Sequence, residues 1–219
     1  MLIFYIDWKD PQVSAATVVG LQPIVKNAKG ARSEGLELAT NWRATDRVTA
    51  RLSYSYANAE LTDDTPNLIT TINPPGFQNT VSQIDGQSGD RLPGAPEHQG
   101  SLFLSYEWPL RDGYLLEFDY GVVAISNVLT RTGNRGYGEH LSGYAIQDIG
   151  AVLSRDQWTL TAFAKNLFDQ YAETSASQTR AYIQSVPDIN GDPVIVRSYR
   201  HDVLPPRMVG LRFTWQMAH

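Results

Sequence analysis

Apolar and polar residues alternate along several segments of this 219-residue chain. In the clearest case, from Val48 to Tyr56, the even positions carry Val, Ala, Leu, Tyr and Tyr, and the odd positions carry Thr, Arg, Ser and Ser. A helix would scatter these residues around its circumference, whereas a β-strand sorts them into one apolar and one polar face. This alternation therefore predicts a strand with two chemically different faces.

The same alternation recurs along the chain and predicts an all-β, antiparallel fold of about eight long strands. The expected strands are residues 2–13, 23–43, 47–61, 97–109, 114–129, 143–154, 157–171 and 206–217. No stretch has the pattern of an amphipathic helix. The longest apolar run, about 121–125, is too short for a membrane helix.

The expected connections alternate between short and long. The short ones are residues 44–46, 111–113 and 155–156, and the long ones are about 14–22, 62–96, 130–142 and 172–205. Short turns at one end and long loops at the other are typical of transmembrane β-barrels, with periplasmic turns and extracellular loops. A structureless connection of more than about thirty residues would be unusual in a compact soluble domain, but we expect such connections at 62–96 and 172–205 in a barrel of this type.

Alternation by itself fits both a soluble β-sandwich and an outer-membrane barrel. The apolar face packs in the protein core of a sandwich and contacts lipid in a barrel, and both need the same pattern. Strands of about 12 residues suit a tilted bilayer crossing better than a sandwich. Aromatic residues stand at the expected strand ends, where side chains would lie at the level of the lipid headgroups: Trp8, Trp42, Tyr56, Trp108, Tyr114, Tyr144, Trp158 and Trp215. These two features favour the transmembrane β-barrel.

Composition narrows the function. The net charge is −5 and the sequence pI is about 5.3, which argues against a nucleic-acid partner because such proteins are usually basic. The absence of cysteine excludes disulfides, zinc–thiolate sites and thiol catalysis. The first ten residues, MLIFYIDWKD, lack the features of a signal peptide. If the protein is exported, we expect this chain to be a fragment or a truncated reading frame.

Short segments spread over the whole chain resemble, in order and spacing, the C-terminal barrel portion of a TonB-dependent outer-membrane receptor. They are residues 4–10 (FYIDWKD), 27–38 (NAKGARSEGLEL), 45–47 (TDR), 52–60 (LSYSYANAE), 91–98 (RLPGAPEH), 165–171 (KNLFDQY) and 206–213 (PRMVGLRF). The resemblance implies a 22-stranded barrel plugged by an N-terminal domain. It also implies location in the Gram-negative outer membrane and TonB-energised uptake of a scarce solute such as a ferric siderophore.

Residues 1–219 would then be the last eight strands of that barrel, with the plug domain and the earlier strands absent. We expect such a chain not to transport by itself. Its expected partners are outer-membrane lipid and lipopolysaccharide and, in the full receptor, a small-molecule ligand and TonB, the latter through the missing plug. The alternative is an autonomous eight-stranded outer-membrane barrel with a structural or adhesive role. We expect the sheet to stay open, with residues 2–13 and 208–217 as its edge strands, each without a partner on its outer side.

No residue pattern predicts an enzyme, a cofactor or a metal site. The four histidines, at positions 98, 140, 201 and 219, lack ligand spacing. Glu117 and Asp119 lie two apart on one strand face, and we interpret them as charges of a wet lumen rather than as an acid–base pair. The segment 89–94 (GDRLPG) is interpreted as a turn cluster with too few glycines to hold a phosphate.

The long loops combine arginines with tyrosines. The candidate ligand contacts are Arg131, Arg135, Tyr137, Arg197 and Arg200. Guanidinium groups and aromatic rings suit anionic or catechol-like ligands, although contact with lipopolysaccharide phosphates or plain solvation would use the same residues. Asn166 and Asp169 belong to a family hallmark, to which we give a structural role, because both side chains can bond local backbone where a strand enters its loop.

Overall fold

The computed structural model describes residues 1–17, 23–73, 80–136 and 138–217. Within these ranges the chain forms sixteen strands and two 3₁₀ turns, Arg111–Gly113 and Thr132–Asn134. The strands are β1 (Leu2–Lys9), β2 (Gln12–Ala16), β3 (Pro23–Asn27), β4 (Gly30–Arg43), β5 (Val48–Leu61), β6 (Thr65–Asn73), β7 (Thr80–Gly86), β8 (His98–Pro109), β9 (Leu115–Ile125), β10 (Val128–Leu129), β11 (His140–Leu141), β12 (Tyr144–Arg155), β13 (Trp158–Lys165), β14 (Glu173–Pro187), β15 (Pro193–Val203) and β16 (Met208–Trp215). Among the described residues, no helix is long and apolar enough to cross a membrane.

Eight of these strands form one antiparallel sheet in the order β1-β4-β5-β8-β9-β12-β13-β16. Seven of them lie inside one expected segment each, and β12 ends at Arg155, one residue beyond the expected 143–154. The eight strands confirm the predicted fold class. Three tight turns, β4–β5, β8–β9 and β12–β13, lie at one end of the sheet, here called the turn end. The other four connections lie at the opposite end, the loop end.

The expectation that the connections 62–96 and 172–205 lack regular structure is wrong. Residues 62–96 contain the β6–β7 hairpin, and residues 172–205 contain the β14–β15 hairpin. The first expected strand also divides, because Asp10 has a φ of +53° between β1 and β2, and β2 pairs with β3 instead. Hairpins satisfy the backbone N–H and C=O groups that a long irregular loop would leave to solvent.

The buried apolar core lies in this loop region and not on the large sheet. It joins the β2–β3 and β6–β7 hairpins to the loop-end residues of β4 and β5. Its members are Val13, Ala28, Ala31, Leu61, Leu68 and Ile69. Leu61 and Leu68 are each only 1% exposed. Two hydrogen bonds link the same hairpins, from Lys26 Nζ to Asn67 O (2.7 Å) and from Lys29 N to Thr65 Oγ1 (3.0 Å). The loop end therefore has its own water-excluding core.

One side of the large sheet, here the apolar face, is a continuous hydrophobic surface across neighbouring strands. Leu52 pairs with Leu102, and Leu160 pairs with both Leu153 and Phe213. The described residues place no second layer over this face, and Phe213 remains 64% exposed. A soluble sandwich would bury such residues, whereas a membrane barrel presents them to lipid.

The opposite side, the polar face, carries hydroxyl and charged groups in mid-strand. Ser53 Oγ lies 2.7 Å from Ser101 Oγ, and Ser105 Oγ donates to Glu117 Oε1 at 2.7 Å. Glu107 stands directly opposite Glu117 in the β8–β9 register. Two carboxylates in facing positions repel each other unless water screens them, so this face suits a wet interior.

Strand pairing assigns two predicted girdle aromatics to the polar face. Trp8 pairs with Ala31, on the same side as Ser33 and Gly35, and Tyr144 pairs with Ile125 on the side of Val123. Both stand near the loop end but away from the apolar face, so the expectation that they join a headgroup girdle is wrong. Alternation separates two faces, and only the register decides which face is shared by neighbouring strands.

Phenylalanine rings cover glycines on the polar face. A Cβ at Gly121 would lie 2.9 Å from Phe103 Cε1, and one at Gly210 would lie 2.6 Å from Phe163 Cζ. The two residues of each pair are direct register partners on neighbouring strands. The bare backbone of each glycine is thereby shielded by an aromatic neighbour.

The sheet has two open edges. Among the described residues, β1 pairs only with β4 and β16 pairs only with β13. No ladder joins β1 to β16, as expected, and the self-closed eight-stranded barrel of the alternative hypothesis does not form.

Candidate functional site

Four of the five predicted ligand-contact residues lie at the loop end. Two of them belong to the β9–β12 connection and two to the β14–β15 hairpin of the neighbouring connection. Arg135 Nε lies 2.6 Å from Asp90 Oδ2, and the carboxyl group of Asp90 is almost fully buried. The hydrogen bond from Arg135 to this carboxylate raises the pKa of the Arg135 guanidinium. Arg135 Nη2 also contacts Gln87 Oε1, and Asp90 Oδ2 accepts from Gln87 N at 2.7 Å. Arg135 is thus held by the segment that follows β7 in the β5–β8 connection.

Arg131 belongs to the same junction. Its Nη1 donates to Thr70 O at 2.7 Å and to Gly136 O at 3.0 Å. A backbone hydrogen bond joins the same two connections, from Gly133 N to Arg91 O (2.8 Å). Two connections that are far apart in sequence therefore share one hydrogen-bonded framework, with Arg131 and Arg135 as two of its links.

Arg91, which sequence reasoning did not select, is a centre of this framework. Its Nη1 donates to Glu97 Oε2 and Asn127 Oδ1, both at 2.9 Å, and its Nη2 donates to Asn127 O at 2.8 Å and Ala95 O at 3.3 Å. Sequence reasoning treated 89–94 as a turn and so missed both Asp90 and Arg91. The available signal was the adjacent acid and base inside a Gly- and Pro-bounded segment.

The β14–β15 hairpin carries the other arginines. Arg200 is exposed, opposite Ser177, and Arg197 lies on the same strand opposite Ile183. The side chain of Arg197, like the whole of Tyr137, lies outside what the structure describes. The structure therefore brings Arg131 and Arg135 together and places Arg197 and Arg200 on a separate hairpin, which contacts the β9–β12 connection through β11.

The turn of that hairpin is closed by one carboxylate. Asp188 Oδ1 accepts from Asp192 N at 2.9 Å and from Asn190 N at 2.7 Å. These backbone hydrogen bonds, that of Asp192 first, lower the pKa of Asp188 because they stabilise the ionised form. The tip of the longest loop is therefore ordered by its own acidic side chain.

The Asn166 junction has the predicted structural role. Asn166 is 5% exposed with a φ of +47°, and its amide group bonds to the backbone on both sides. Its Nδ2 donates to Gln170 O and Pro205 O, each at 3.0 Å, and its Oδ1 accepts from Gln170 N at 2.8 Å. Asp169 Oδ1 accepts from Arg207 N at 2.7 Å. The two side chains tie the end of β13 to the start of β16.

Comparison with known proteins decides the family. Residues 3–167 match the family described as TonB dependent receptor-like, beta-barrel. The chain belongs to this family. This match confirms the predicted resemblance to a TonB-dependent receptor barrel. The family consists of outer-membrane transport receptors rather than enzymes. No curated protein sequence matches the chain.

A solved structure with the same fold is that of the ferric yersiniabactin uptake receptor FyuA from Yersinia pestis. The two share 19% sequence identity with a TM-score of 0.67. The match covers 97% of this chain and 26% of that receptor, so the chain spans about a quarter of the length of its structural neighbour.

Proposed function

We propose that the chain forms the last eight strands of the barrel of a longer TonB-dependent outer-membrane receptor, which takes up a scarce solute such as a ferric siderophore. The observation that carries this proposal is the open eight-stranded sheet with an uncovered apolar face, in a chain of this family. An incomplete sheet cannot enclose a channel, so transport needs the remaining strands. Coupling to TonB would run through a plug domain.

The apolar face sets the depth in the membrane. On β5 it extends from Val48 to Tyr56, which is about 26 Å along a strand and about 20 Å along the membrane normal at a tilt of about 40°. Toward the loop end the same side of the sheet becomes charged, with Arg32 Nε 3.5 Å from Asp7 Oδ1. The apolar face would contact outer-membrane lipid, and the loop end would lie beside lipopolysaccharide.

The arginines of the loop end then divide into two roles. Arg131 and Arg135 keep their guanidinium groups in contacts between connections, so they would shape the extracellular surface that the ligand meets. Arg200 is exposed on the β14–β15 hairpin and would offer its guanidinium directly to an anionic or catechol-like ligand, with Arg197 and Tyr137 as further contacts.

The test uses the complete receptor in detergent and two iron complexes as probes, an anionic ferric tris-catecholate and an uncharged ferric trihydroxamate. Quenching of intrinsic fluorescence measures binding. Arg200→Gln should weaken tris-catecholate binding about tenfold, because a hydrogen bond to a charged group is worth about 1.5–3 kcal/mol. Arg43→Gln, at the turn end, is the matched control. Equal affinities for wild type and Arg200→Gln would reject the assignment.

Transport is tested separately in cells. Uptake of the bound iron complex should require both the complete receptor and TonB. Uptake that persists in cells lacking TonB would contradict the proposed function. A reading frame upstream of residue 1 that encodes neither further strands nor a plug would contradict the assignment of this chain to the last eight strands.

A further inference from the structure

Tryptophan is concentrated at one rim of the sheet. Four of the five tryptophans lie on the apolar face at the turn end: Trp42, Trp108, Trp158 and Trp215. Indole rings prefer the headgroup level of a bilayer because they combine an apolar ring with one N–H donor. The turn-end rim of the apolar face therefore lies at a lipid headgroup layer.

One cation lies within this aromatic rim. Along the eight strands, all of which the structure describes, Arg155 is the one charged residue on the turn-end half of the apolar face. It pairs in register with Trp158, which pairs with Trp215. At the headgroup level a lipid-facing cation costs little, and it lies within reach of the lipid phosphates.

The surroundings of Arg155 form a pocket. Its guanidinium carbon lies 4.7 Å from the ring centroid of Tyr114, and that ring meets Trp158 edge-on with 5.9 Å between centroids. A depression of about 660 Å³ lies among Tyr114, Arg155, Asp156, Gln157, Trp158 and Trp215. Stacking on Tyr114 fixes the plane of the guanidinium and leaves its N–H edge directed to other acceptors.

The protein neutralises Arg155 only weakly. Among the described residues, the carboxylate that pairs with it is Asp156, with Oδ2 3.4 Å from Nε, and the Asp156 side chain is 79% exposed. An exposed ion pair at this distance is worth little. The five N–H donors of a guanidinium exceed what Asp156 and the Tyr114 hydroxyl use.

We propose that this pocket binds the phosphate group of a phospholipid in the periplasmic leaflet, with a preference for anionic headgroups such as phosphatidylglycerol. The guanidinium of Arg155 bonds two phosphate oxygens, and the indole N–H groups and the Tyr114 hydroxyl bond the interfacial ester and headgroup oxygens. An anionic headgroup is favoured over a zwitterionic one because no lipid cation competes with Arg155 for the phosphate. The proposal rests on the membrane placement given under the proposed function.

The experiment uses the complete receptor in detergent micelles and phospholipids with brominated acyl chains as probes. Brominated phosphatidylglycerol and brominated phosphatidylcholine are titrated separately, and the difference in tryptophan quenching between wild type and the Arg155 variants reports binding at the turn-end pocket. Wild type should bind phosphatidylglycerol about tenfold more tightly than phosphatidylcholine. Arg155→Gln should abolish this preference, and Arg155→Lys should keep part of it because lysine retains the charge but not the two-pronged geometry.

Arg207→Gln is the matched control, since it removes the same charge from an exposed position at the loop end. Within the part of the chain that the structure describes, the hydrogen bond of Arg207 is made by its backbone N–H, to Asp169 Oδ1. It should leave the preference unchanged. Native electrophoretic mobility in detergent verifies that each variant is folded, and Arg155→Lys keeps the test decisive if Arg155→Gln does not fold.

The outcomes separate this proposal from the proposed function. Equal quenching by both lipids in wild type would overturn the phosphate site while leaving the membrane placement intact. No quenching by either lipid would overturn the membrane placement and the site together. Inorganic phosphate at the lipid concentration should not compete, and a loss of preference in its presence would also overturn the proposal, since the pocket would then be a site for free phosphate.

Discussion

Replacement of Asn166 by alanine tests how the loop end is joined to the large sheet. Asn166→Ala removes three side-chain hydrogen bonds to Gln170 and Pro205 at a position that is 5% exposed. At about 1 kcal/mol for each bond, the loss is about 3 kcal/mol. The left-handed backbone at a φ of +47° is also less favourable for alanine than for asparagine, which adds about 1 kcal/mol. We expect the free energy of unfolding to fall by about 4 kcal/mol.

Two further variants separate the contributions. Asn166→Gly loses the same hydrogen bonds without the backbone strain, so it should cost about 3 kcal/mol. Asn134→Ala is the matched control, since Asn134 has a φ of +54° but is exposed. It should cost about 1 kcal/mol, because only the strain applies.

The measurement is urea unfolding of the complete receptor in detergent, followed by tryptophan fluorescence, with the free energy extrapolated to zero urea. The expected order of destabilisation is Asn166→Ala, then Asn166→Gly, then Asn134→Ala. If Asn166→Ala is no more destabilising than Asn134→Ala, the Asn166 amide does not tie β13 to β16, and the reasoning fails.

Three further predictions follow from other parts of the structure. Asp90→Asn should cost about 2 kcal/mol and speed hydrogen exchange in the β9–β12 connection, since its buried carboxylate holds an arginine there; unchanged exchange would contradict a shared framework. Gly121→Val should cost about 2 kcal/mol by clashing with Phe103 and cost much less in a Phe103→Ala background, which a double-mutant cycle in urea measures. Backbone N–H groups, that of Asp192 first, lower the pKa of Asp188. The turn that the Asp188 carboxylate closes should therefore persist at neutral pH and loosen only as the pH falls through the lowered pKa. An NMR titration that gives an ordinary pKa for Asp188 would refute this.

The sequence predicted the large sheet well because alternation is a local property. From Val48 to Tyr56, nine consecutive residues suffice to identify a strand and its two faces. The tight turns likewise follow from short polar segments such as Arg111–Gly113. The role of Asn166 was also predictable, since its bonds reach backbone close by in sequence as well as β16.

The hairpins inside the long connections were harder to predict. Residues 173–187 and 193–203 form strands, although their sequences lack a clear alternation of apolar and polar residues. Their pairing satisfies backbone groups and needs no particular side-chain pattern.

Only the tertiary structure decided the relations between distant segments. The side of the sheet on which Trp8 lies depends on the register of β1 against β4, and the contact of Arg135 with Asp90 joins residues 45 positions apart. Alternation predicted the apolar face, but strand length and the positions of the aromatic residues were also needed to predict that no second layer covers it. Alternation is set residue by residue along one strand, whereas register, loop contacts and exposure depend on which segments meet, and a linear pattern carries no measure of that.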